Sequence, residues 1–227
     1  MSITKAERRL PLVSVIVPNY NHAPFLEKRL RSISQQTHQN IEIILLDDAS
    51  TDDSQAILSQ FARTNKKVVS LNINESNSGL PIRQWNKGVS QAKGEYIWIA
   101  ESDDEAEPEF ISSLITLSNR FPSAGIVYCD SEIIDEDSQK VAYYDYSSKQ
   151  YVDGGLWKRD FCENGRNFLA KFMLFRNLIP NVSAVLFRAS ALKSCLKQSS
   201  FKYCADWELY ARILSSSDVA YCSKPMN

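Results

Sequence analysis

The fold of this chain is indicated first by one stretch, Gly94-Glu95-Tyr96-Ile97-Trp98-Ile99-Ala100-Glu101-Ser102-Asp103-Asp104. A short apolar run, typical of a buried strand, leads directly into three carboxylates. In an open α/β sheet ligands bind beyond the carboxyl ends of the strands, so these acids are expected to face that crevice. Carboxylates suit Mg²⁺ or Mn²⁺, and those cations suit phosphate. The stretch therefore predicts a metal and phosphate site, and the alternative is a solvated acidic turn that caps the next helix near Pro108.

The first half of the chain alternates short apolar runs with helical patterns, which is typical of βαβ units. Strands are predicted at residues 13–17, 41–46 and 68–71, before the acidic strand. The buried faces of the helices between them are predicted to consist of Leu26, Leu30, Ile33, Ile57, Leu58, Phe61, Ile82, Trp85 and Val89. Residues 50–53 fit a capping box that opens the second helix. The predicted fold class is α/β, with an open, mainly parallel sheet flanked by helices.

The second half is predicted to be smaller and mixed. A helix over residues 109–119 and a strand over 126–129 precede an antiparallel hairpin, with strands at 133–134 and 141–144 around a turn at 135–138. Between residues 143 and 175 the chain is rich in aromatic side chains, including Tyr144, Tyr146, Tyr151, Trp157 and Phe161. Core packing is favoured over sugar stacking for them, because aromatics dominate cores. A last strand at 183–187 precedes helices near Ala189 and Asp206.

Composition narrows the classes of partner. Across 227 residues, 26 basic and 27 acidic side chains give a net charge of −1, which argues against a nucleic-acid partner. The five cysteines form no Cys-x-x-Cys pair, so reduced and mostly buried thiols are expected. Residues 1–9 are polar and charged, which argues against a secretory signal and makes a cytosolic location the default. No apolar run is long enough to cross a bilayer.

A second acidic pair, Asp47 and Asp48, ends the second predicted strand. The Asp48 carboxylate is suited to accept a hydrogen bond from a nucleobase N–H, which uracil and thymine offer at N3 and guanine at N1. Cytosine lacks that proton and would fit poorly. The alternative for both acids is helix capping together with Ser50.

Three motifs occur in an order that carries a resemblance: Val13-Ser14-Val15-Ile16-Val17-Pro18-Asn19-Tyr20-Asn21, Leu46-Asp47-Asp48-Ala49-Ser50-Thr51-Asp52 and Ala100-Glu101-Ser102-Asp103-Asp104. With Asn77-x-Gly79, Asn86, Gly88 and Ala92-x-Gly94 they resemble the family 2 glycosyltransferases of GT-A fold. The resemblance runs from about Pro11 almost to the C-terminus, and its motifs are most specific before residue 130. It implies a tail at residues 1–10, a nucleotide-sugar-binding half at 11–130 and an acceptor-side half of the same domain at 131–227. Family members usually continue beyond a point similar to Ser223–Asn227, so further residues are expected.

The resemblance also implies roles for individual residues. Glu101-Ser102-Asp103 occupies the position of the family's Asp-x-Asp motif, and Glu101 is a departure, so Mn²⁺ or Mg²⁺ is assigned chiefly to Asp103. Arg83 stands where a basic residue is often found near the diphosphate, with a solvated helix charge as the alternative. The nucleotide-binding residues implied are Pro18, Tyr20, Asn21, Asp48, Arg83, Glu101 and Ser102.

The general base is expected in the second half, where the family carries an acid at the start of a helix. Ala205-Asp206-Trp207-Glu208-Leu209 matches that pattern except for a missing first acid, which makes Asp206 the candidate base and Glu208 a weaker one. The alternative role for Asp206 is helix capping. The two histidines, His22 and His38, are interpreted as bystanders because they form no metal cluster.

The resemblance implies inverting transfer of a sugar from a nucleoside diphosphate sugar, with a UDP-sugar favoured, to a hydroxyl of a glycan, lipid-linked or protein acceptor. Polysaccharide or glycolipid assembly at the cytoplasmic face of a membrane is the expected setting, with peripheral membrane association. Two alternatives compete with this hypothesis. Phosphotransfer is disfavoured because Pro18-Asn19-Tyr20-Asn21 stands where aspartyl phosphatases carry acids. A non-catalytic nucleotide- or glycan-binding module is favoured by the departure at Glu101 and the missing acid before Asp206.

Overall fold

A computed structural model describes residues 10–135, 137–143, 155–196, 201 and 203–227. The aromatic residues Tyr144, Tyr146 and Tyr151 lie outside the described residues. The first half consists of β1 (Val13–Asn19), α1 (Ala23–Ser34), β2 (Ile41–Asp47), α2 (Ser54–Thr64), β3 (Val68–Ile73), α3 (Pro81–Gln91) and β4 (Tyr96–Ile99).

The second half follows with α4 (Phe110–Arg120), β5 (Ala124–Asp130), β6 (Glu132–Ile134), β7 (Lys140–Tyr143), β8 (Phe161–Glu163), α5 (Gly165–Phe168), β9 (Val185–Arg188), α6 (Ala189–Cys195), α7 (Ala205–Leu214) and β10 (Asp218–Pro225). Short 3₁₀ turns cover Leu156–Lys158 and Val182–Ala184, and a π-helical turn, Leu169–Met173, extends α5. None of the described helices is both long and apolar enough to cross a membrane.

Eight strands form one sheet in the order β3-β2-β1-β4-β9-β5-β10-β8. Strand β1 is parallel to both β2 and β4, with Val13 opposite Ile41 on one side and Tyr96 on the other. Strand β9 runs antiparallel between β4 and β5. Because β1, β2 and β4 are parallel, their carboxyl ends meet at one edge of the sheet. The motifs after these three strands are therefore neighbours, as the sequence predicted.

Side chains alternate between the two faces of the sheet. On one face Ile16, Ile44 and Ile97 pack with α3 and with the aromatic residues of the second half. On the other face Val15, Ile43 and Trp98 pack with α1 and α4. Trp157 and Phe161 are buried against Phe168, Tyr128 and Tyr221, which confirms the core-packing interpretation for these two residues.

Several local predictions needed correction. The capping box at residues 50–53 is wrong, because α2 begins at Ser54 and the Asp53 side chain makes no capping bond. The predicted strand at 183–187 begins at Val185, because the Asn181 side chain accepts the Ala184 N–H at 2.8 Å and closes a 3₁₀ turn. The antiparallel hairpin is confirmed as β6 and β7. All five cysteines are free, but only Cys129 and Cys222 are buried, so the expectation of mostly buried thiols was wrong.

Gly94 positions the start of β4 through a close backbone approach. A Cβ at this position would lie 2.6 Å from both the Ser14 nitrogen and the Tyr96 oxygen. We expect Gly94→Ala to lower the free energy of unfolding by about 1–3 kcal/mol, because the backbone of two strands would have to separate. Chemical denaturation checks this, with the exposed neighbour Lys93→Ala as the control, for which a change below about 0.5 kcal/mol is expected. Equal stability of the two variants would contradict it.

Candidate functional site

A cleft of about 430 Å³ opens at the edge where β1, β2 and β4 end. Five of the predicted nucleotide-binding residues line it: Pro18, Tyr20, Asp48, Glu101 and Ser102. The opposite wall is the segment from Asn77 to Pro81 together with Gln84 of α3. Two larger cavities lie elsewhere, one of about 580 Å³ beside α1 and one of about 950 Å³ along α7. The smaller cleft is the one that collects the strand-end motifs, so it is the candidate site.

A hydrogen-bonded frame fixes the ends of β1 and β2. Both oxygens of the buried Asp47 carboxylate accept bonds, from Asn19 Nδ2 at 2.9 Å, from the Ser50 N–H at 2.9 Å and from Ser50 Oγ at 2.6 Å. Asn21 adopts a left-handed φ of 55°, which asparagine tolerates, and its side chain accepts the Thr51 N–H at 2.8 Å. Asp47 therefore holds the turn at Ser50 and does not cap α2, which begins at Ser54, so the helix-capping alternative is wrong for Asp47. Asn21 shapes the cleft from outside its lining.

The Asp48 carboxylate is already surrounded by donors. Its Oδ1 accepts Asn74 Nδ2 at 2.6 Å and Gln84 Nε2 at 2.7 Å, and its Oδ2 accepts Ser78 Oγ at 2.7 Å. The Ser78 N–H is shared between the two oxygens, at 2.9 and 3.0 Å. A carboxylate offers about four lone-pair sites, so these donors fill it. A nucleobase N–H can bond Asp48 only where one of these donors, such as the Ser78 hydroxyl, gives way.

Gln84 is a site residue that the sequence analysis missed. It is buried on the inner face of α3, next to Trp85, and its amide orientation is fixed because Nε2 faces a carboxylate. The Gln84 Oε1 has no hydrogen-bond partner among the described residues. The signal in the sequence was a polar residue within the inward-facing stripe of an amphipathic helix.

Glu101 is held by contacts from three directions. Its Oε1 accepts Trp85 Nε1 at 2.7 Å, its backbone N–H donates to Ser183 Oγ at 2.9 Å, and its carbonyl accepts Arg29 Nε at 2.7 Å. Burial raises the pKa of Glu101 to about 8, with repulsion from the neighbouring acids Asp103 and Asp104 adding to the effect. The departure from the family motif is therefore accommodated by a hydrogen bond from the buried Trp85.

Arg29 is a second residue that the sequence analysis missed. It is fully buried in α1 beneath residues 101–104, which we call the acidic loop, with Nη2 at 3.8 Å from Asp104 and the guanidinium 5.3 Å from the Trp98 ring centroid. Burial lowers the pKa of Arg29, and the acids of the loop oppose that shift. Arg29 interrupts the apolar face made by Leu26, Leu30 and Ile33, which is the signal that could have revealed it. It supplies the loop with an internal positive charge.

Asp103 is the exposed carboxylate of the loop, with half of its side chain accessible. His22 lines the cleft, lies 2.8 Å from Ser102 Oγ through Nδ1, and is 4.0 Å from Asp103. Its interpretation as a bystander does not match this position, whereas His38 is buried against the Pro11 carbonyl and has a structural role. Within the described ranges, no three His, Cys, Asp or Glu side chains converge on one point. The exposed Asp103 carboxylate is a hard oxygen ligand of the kind that Mg²⁺ and Mn²⁺ prefer.

Arg83 lies at the N-terminal end of α3, outside the lining of the cleft. Its side chain is exposed, and Nη1 donates to the Ser78 carbonyl at 2.6 Å. It thus touches the same turn that covers Asp48. Its role at a diphosphate stays a prediction.

Asp206 lies in the first turn of α7 and is not part of the cleft lining. Asn177 Nδ2 donates to its Oδ2 at 2.9 Å. Burial raises the pKa of Asp206, and the N–H of Trp207 and the Asn177 amide offset part of that effect. Glu208 pairs with Arg212 one turn further along the helix, so its carboxylate is engaged elsewhere. These contacts leave Asp206 the stronger candidate base.

Comparison with known sequences gives a family. A model of the family described as glycosyl transferase family 2 matches residues 14–185, which is most of the chain. An uncharacterized glycosyltransferase of Haemophilus influenzae is 28% identical over 205 residues, covering 89% of this chain and 60% of the relative. Glycosyltransferase GlyG of Streptococcus pneumoniae is 35% identical over 158 residues, covering 66% of this chain and 46% of the relative. The chain therefore spans only part of the length of these relatives.

Comparison with solved structures gives the fold. TarS 1-349 of S. aureus in complex with UDP superposes with a TM-score of 0.73 at 20% identity, covering 94% of this chain and 59% of that chain. Mannosyltransferase PcManGT of Pyrobaculum calidifontis, in complex with GDP-Man and Mn²⁺, gives a TM-score of 0.66 at 20% identity, covering 96% of this chain and 56% of that chain. The architecture is the α/β fold of GT-A type that the resemblance implied. Together with the match over residues 14–185, this means that the chain belongs to glycosyl transferase family 2.

Proposed function

We propose that this chain transfers a sugar from a nucleoside diphosphate sugar to an acceptor hydroxyl by direct displacement with inversion at the anomeric carbon. The observation that carries the proposal is the cleft, where three parallel strands bring Asp48, Glu101 and Ser102 together beside the exposed Asp103. Asp206, on a separate helix, supplies a carboxylate of raised pKa outside that cleft. Family membership supports the same reaction class.

Each residue has a role that follows from its contacts. The base of the donor is proposed to lie against Asp48, Gln84 and Tyr20, with Pro18 and Ser102 flanking the nucleoside. Asp103 would hold a divalent cation, Mn²⁺ or Mg²⁺, which when bound neutralises charge on the diphosphate leaving group. Arg83 is proposed to contact the diphosphate once its turn moves. Asp206 would take the proton of the acceptor hydroxyl as that oxygen attacks.

A UDP-sugar is the favoured donor, and the UDP complex of TarS supports that choice, whereas the GDP-Man complex of PcManGT keeps guanosine as the alternative. A glycan or lipid-linked acceptor in polysaccharide or glycolipid assembly is proposed from family membership. The cytoplasmic face of a membrane is the proposed location.

Calorimetric titration with UDP, GDP, dTDP and CDP, each with and without Mn²⁺, tests the donor site. We expect Mn²⁺-dependent binding of one nucleotide with a base N–H and no binding of CDP, because the cytosine N3 would face acceptors. Asp53→Ala, which removes an exposed acid outside the cleft, is the control variant and should bind the nucleotide with the affinity of the wild type. Failure of all four nucleotides to bind would contradict the proposed function.

A non-catalytic nucleotide-binding module is the second candidate. The observation that favours it is Glu101, which departs from the family motif and whose carboxylate is already bonded by Trp85 Nε1. The two candidates differ in turnover. Donor hydrolysis or transfer supports the enzyme, and nucleotide binding without either would support the module.

Replacing Ser78 by alanine is expected to tighten nucleotide binding about three- to tenfold, because the incoming base would no longer compete with the Ser78 hydroxyl for Asp48. The dissociation constant of the preferred nucleotide is the measurement. Ser90→Ala is the control, because Ser90 is an exposed serine near the C-terminal end of α3. This variant should leave the dissociation constant unchanged. Weaker or unchanged binding by Ser78→Ala would show that the base does not reach Asp48.

The contact between Asn177 and Asp206 predicts a pH effect. Burial raises the pKa of Asp206, and a base works only when deprotonated, so activity should rise as pH passes through that raised value. Asn177→Ala removes a donor that favours the carboxylate, so the acidic limb of the kcat/KM profile should move to higher pH. The exposed Asn167→Ala is the control. If the acidic limb of the kcat/KM profile does not move in Asn177→Ala, Asp206 is not the group that accepts the proton.

A further inference from the structure

One face of the second half combines exposed apolar and basic side chains. The segment 165–176, which contains α5 and its π-helical turn, carries three cations and no acid, although the whole chain has a net charge of −1. On its outer side Leu174 is 66% exposed and Phe175 is 90% exposed. We call the surface formed by Arg166, Lys171, Leu174, Phe175 and Arg176 the basic apolar face.

The inner side of the same segment explains why these residues remain outside. Phe168, Phe172 and Met173 occupy the inward-facing positions of these helical turns and are buried in the aromatic core. Leu174 and Phe175 follow on the surface, where a large apolar side chain gains nothing from folding. Contiguous exposed apolar residues of this kind mark an interaction surface.

A groove of about 950 Å³ continues the face toward α7. Its walls are largely apolar and include Leu169, Met173, Trp207 and Ala211. Phe201, which is 55% exposed, also lines the groove. The apolar surface therefore extends across two elements, beyond a single side chain.

The charges around the groove leave the face positive. Glu208 lines the groove but is paired with Arg212. Lys171 pairs with Glu163 at 4.0 Å, and because both side chains are partly exposed this pair is weak. Arg166 donates through Nε to the Ser215 carbonyl, which leaves its charge uncompensated by that contact. Arg176 is exposed at the end of the segment. Apolar and aromatic side chains among Lys and Arg match the boundary between anionic headgroups and acyl chains.

We propose that the basic apolar face docks on the surface of an anionic lipid bilayer, with Leu174 and Phe175 entering the interface and the three cations contacting headgroup phosphates. Charge complementarity favours a bilayer as the partner, because its anionic headgroups would contact the cations and its acyl layer, just below them, would receive the apolar side chains. The proposal does not depend on sugar transfer. Asn177, the residue that bonds Asp206, directly follows Arg176, so docking would place the candidate base beside the membrane surface.

Co-sedimentation of the full chain with vesicles tests the proposal, using phosphatidylcholine alone and phosphatidylcholine mixed with phosphatidylglycerol, at low and high salt. We expect binding to the anionic vesicles only, weakened by salt. The double variant Leu174→Ser/Phe175→Ser should lose about tenfold or more in partition coefficient. Lys171→Gln/Arg176→Gln should lose the preference for phosphatidylglycerol. Both pairs are exposed, so the fold should survive.

Matched controls are Val69→Ser and Val141→Ser, which alter apolar side chains that are 57% and 59% exposed elsewhere on the surface. Vesicle binding that these controls reduce as much as the double variant does, or that ignores headgroup charge, would overturn the proposal. So would a dimer that is lost in Leu174→Ser/Phe175→Ser while the wild type ignores vesicles, because the face would then bind a second copy. Nucleotide binding measured on the same variants should be unchanged, which separates this outcome from failure of the proposed transfer.

Discussion

Replacing Asp206 by asparagine is expected to lower kcat for sugar transfer by about 10²- to 10⁴-fold, the usual contribution of a positioned general base. The amide has nearly the shape of the carboxylate, but it cannot accept the proton of the acceptor hydroxyl. Asp206 lies outside the lining of the donor cleft, so nucleotide affinity should be unchanged. Steady-state transfer at saturating donor, together with nucleotide titration of the same variant, is the measurement.

Glu208→Gln is the matched control for Asp206→Asn, because it makes the same chemical change two residues away on the same helix. Glu208 is paired with Arg212, so the variant should lose a partly exposed ion pair and keep most of its turnover. A reversed result, with Glu208→Gln inactive and Asp206→Asn active, would move the base to Glu208. Equal activity of both variants would remove the base from α7.

The sequence predicted the edge of the sheet well because that information is local. Apolar runs ending in Asn19, Asp47 and Ala100 specify parallel strands, and parallel strands must bring their ends together. The positions of Asp48 and Glu101 in one cleft follow from this rule alone. What the cleft binds does not follow from it.

The contacts inside the cleft could not be predicted, because they join residues distant in sequence. Gln84 reaches Asp48 from 36 positions away, and Arg29 reaches the Glu101 carbonyl from 72 positions away. Each appears in the sequence as a polar residue on an apolar helix face, a pattern that signals a buried partner without naming it. The capping box failed for a local reason, since Ser50 bonds Asp47 three positions before it and α2 begins only at Ser54.

The second half was harder because irregular elements position it. A 3₁₀ turn before β9 and a π-helical turn after α5 have no strong period in sequence. Ser183, in that 3₁₀ turn, accepts the Glu101 N–H and so helps to hold the acidic loop. A segment without a recognisable pattern thus completes the predicted site.

Replacing Asp103 by alanine is expected to abolish Mn²⁺-dependent nucleotide binding and to lower transfer by at least about 10²-fold, because charge on the leaving diphosphate would lose its neutralising cation. The fold should remain intact, since half of the Asp103 side chain is exposed and the His22 ring lies 4.0 Å away. Asp104→Ala provides an informative contrast. Asp104 is partly buried at 3.8 Å from the fully buried Arg29, so its loss should destabilise the protein by leaving the Arg29 charge buried without a partner.

Calorimetry with and without Mn²⁺, thermal unfolding of both variants and turnover measurements distinguish the role of Asp103 in metal binding from the role of Asp104 in stability. Undiminished turnover by Asp103→Ala would contradict the metal assignment. Loss of Mn²⁺-dependent nucleotide binding with an unchanged melting temperature would support a cation site at Asp103.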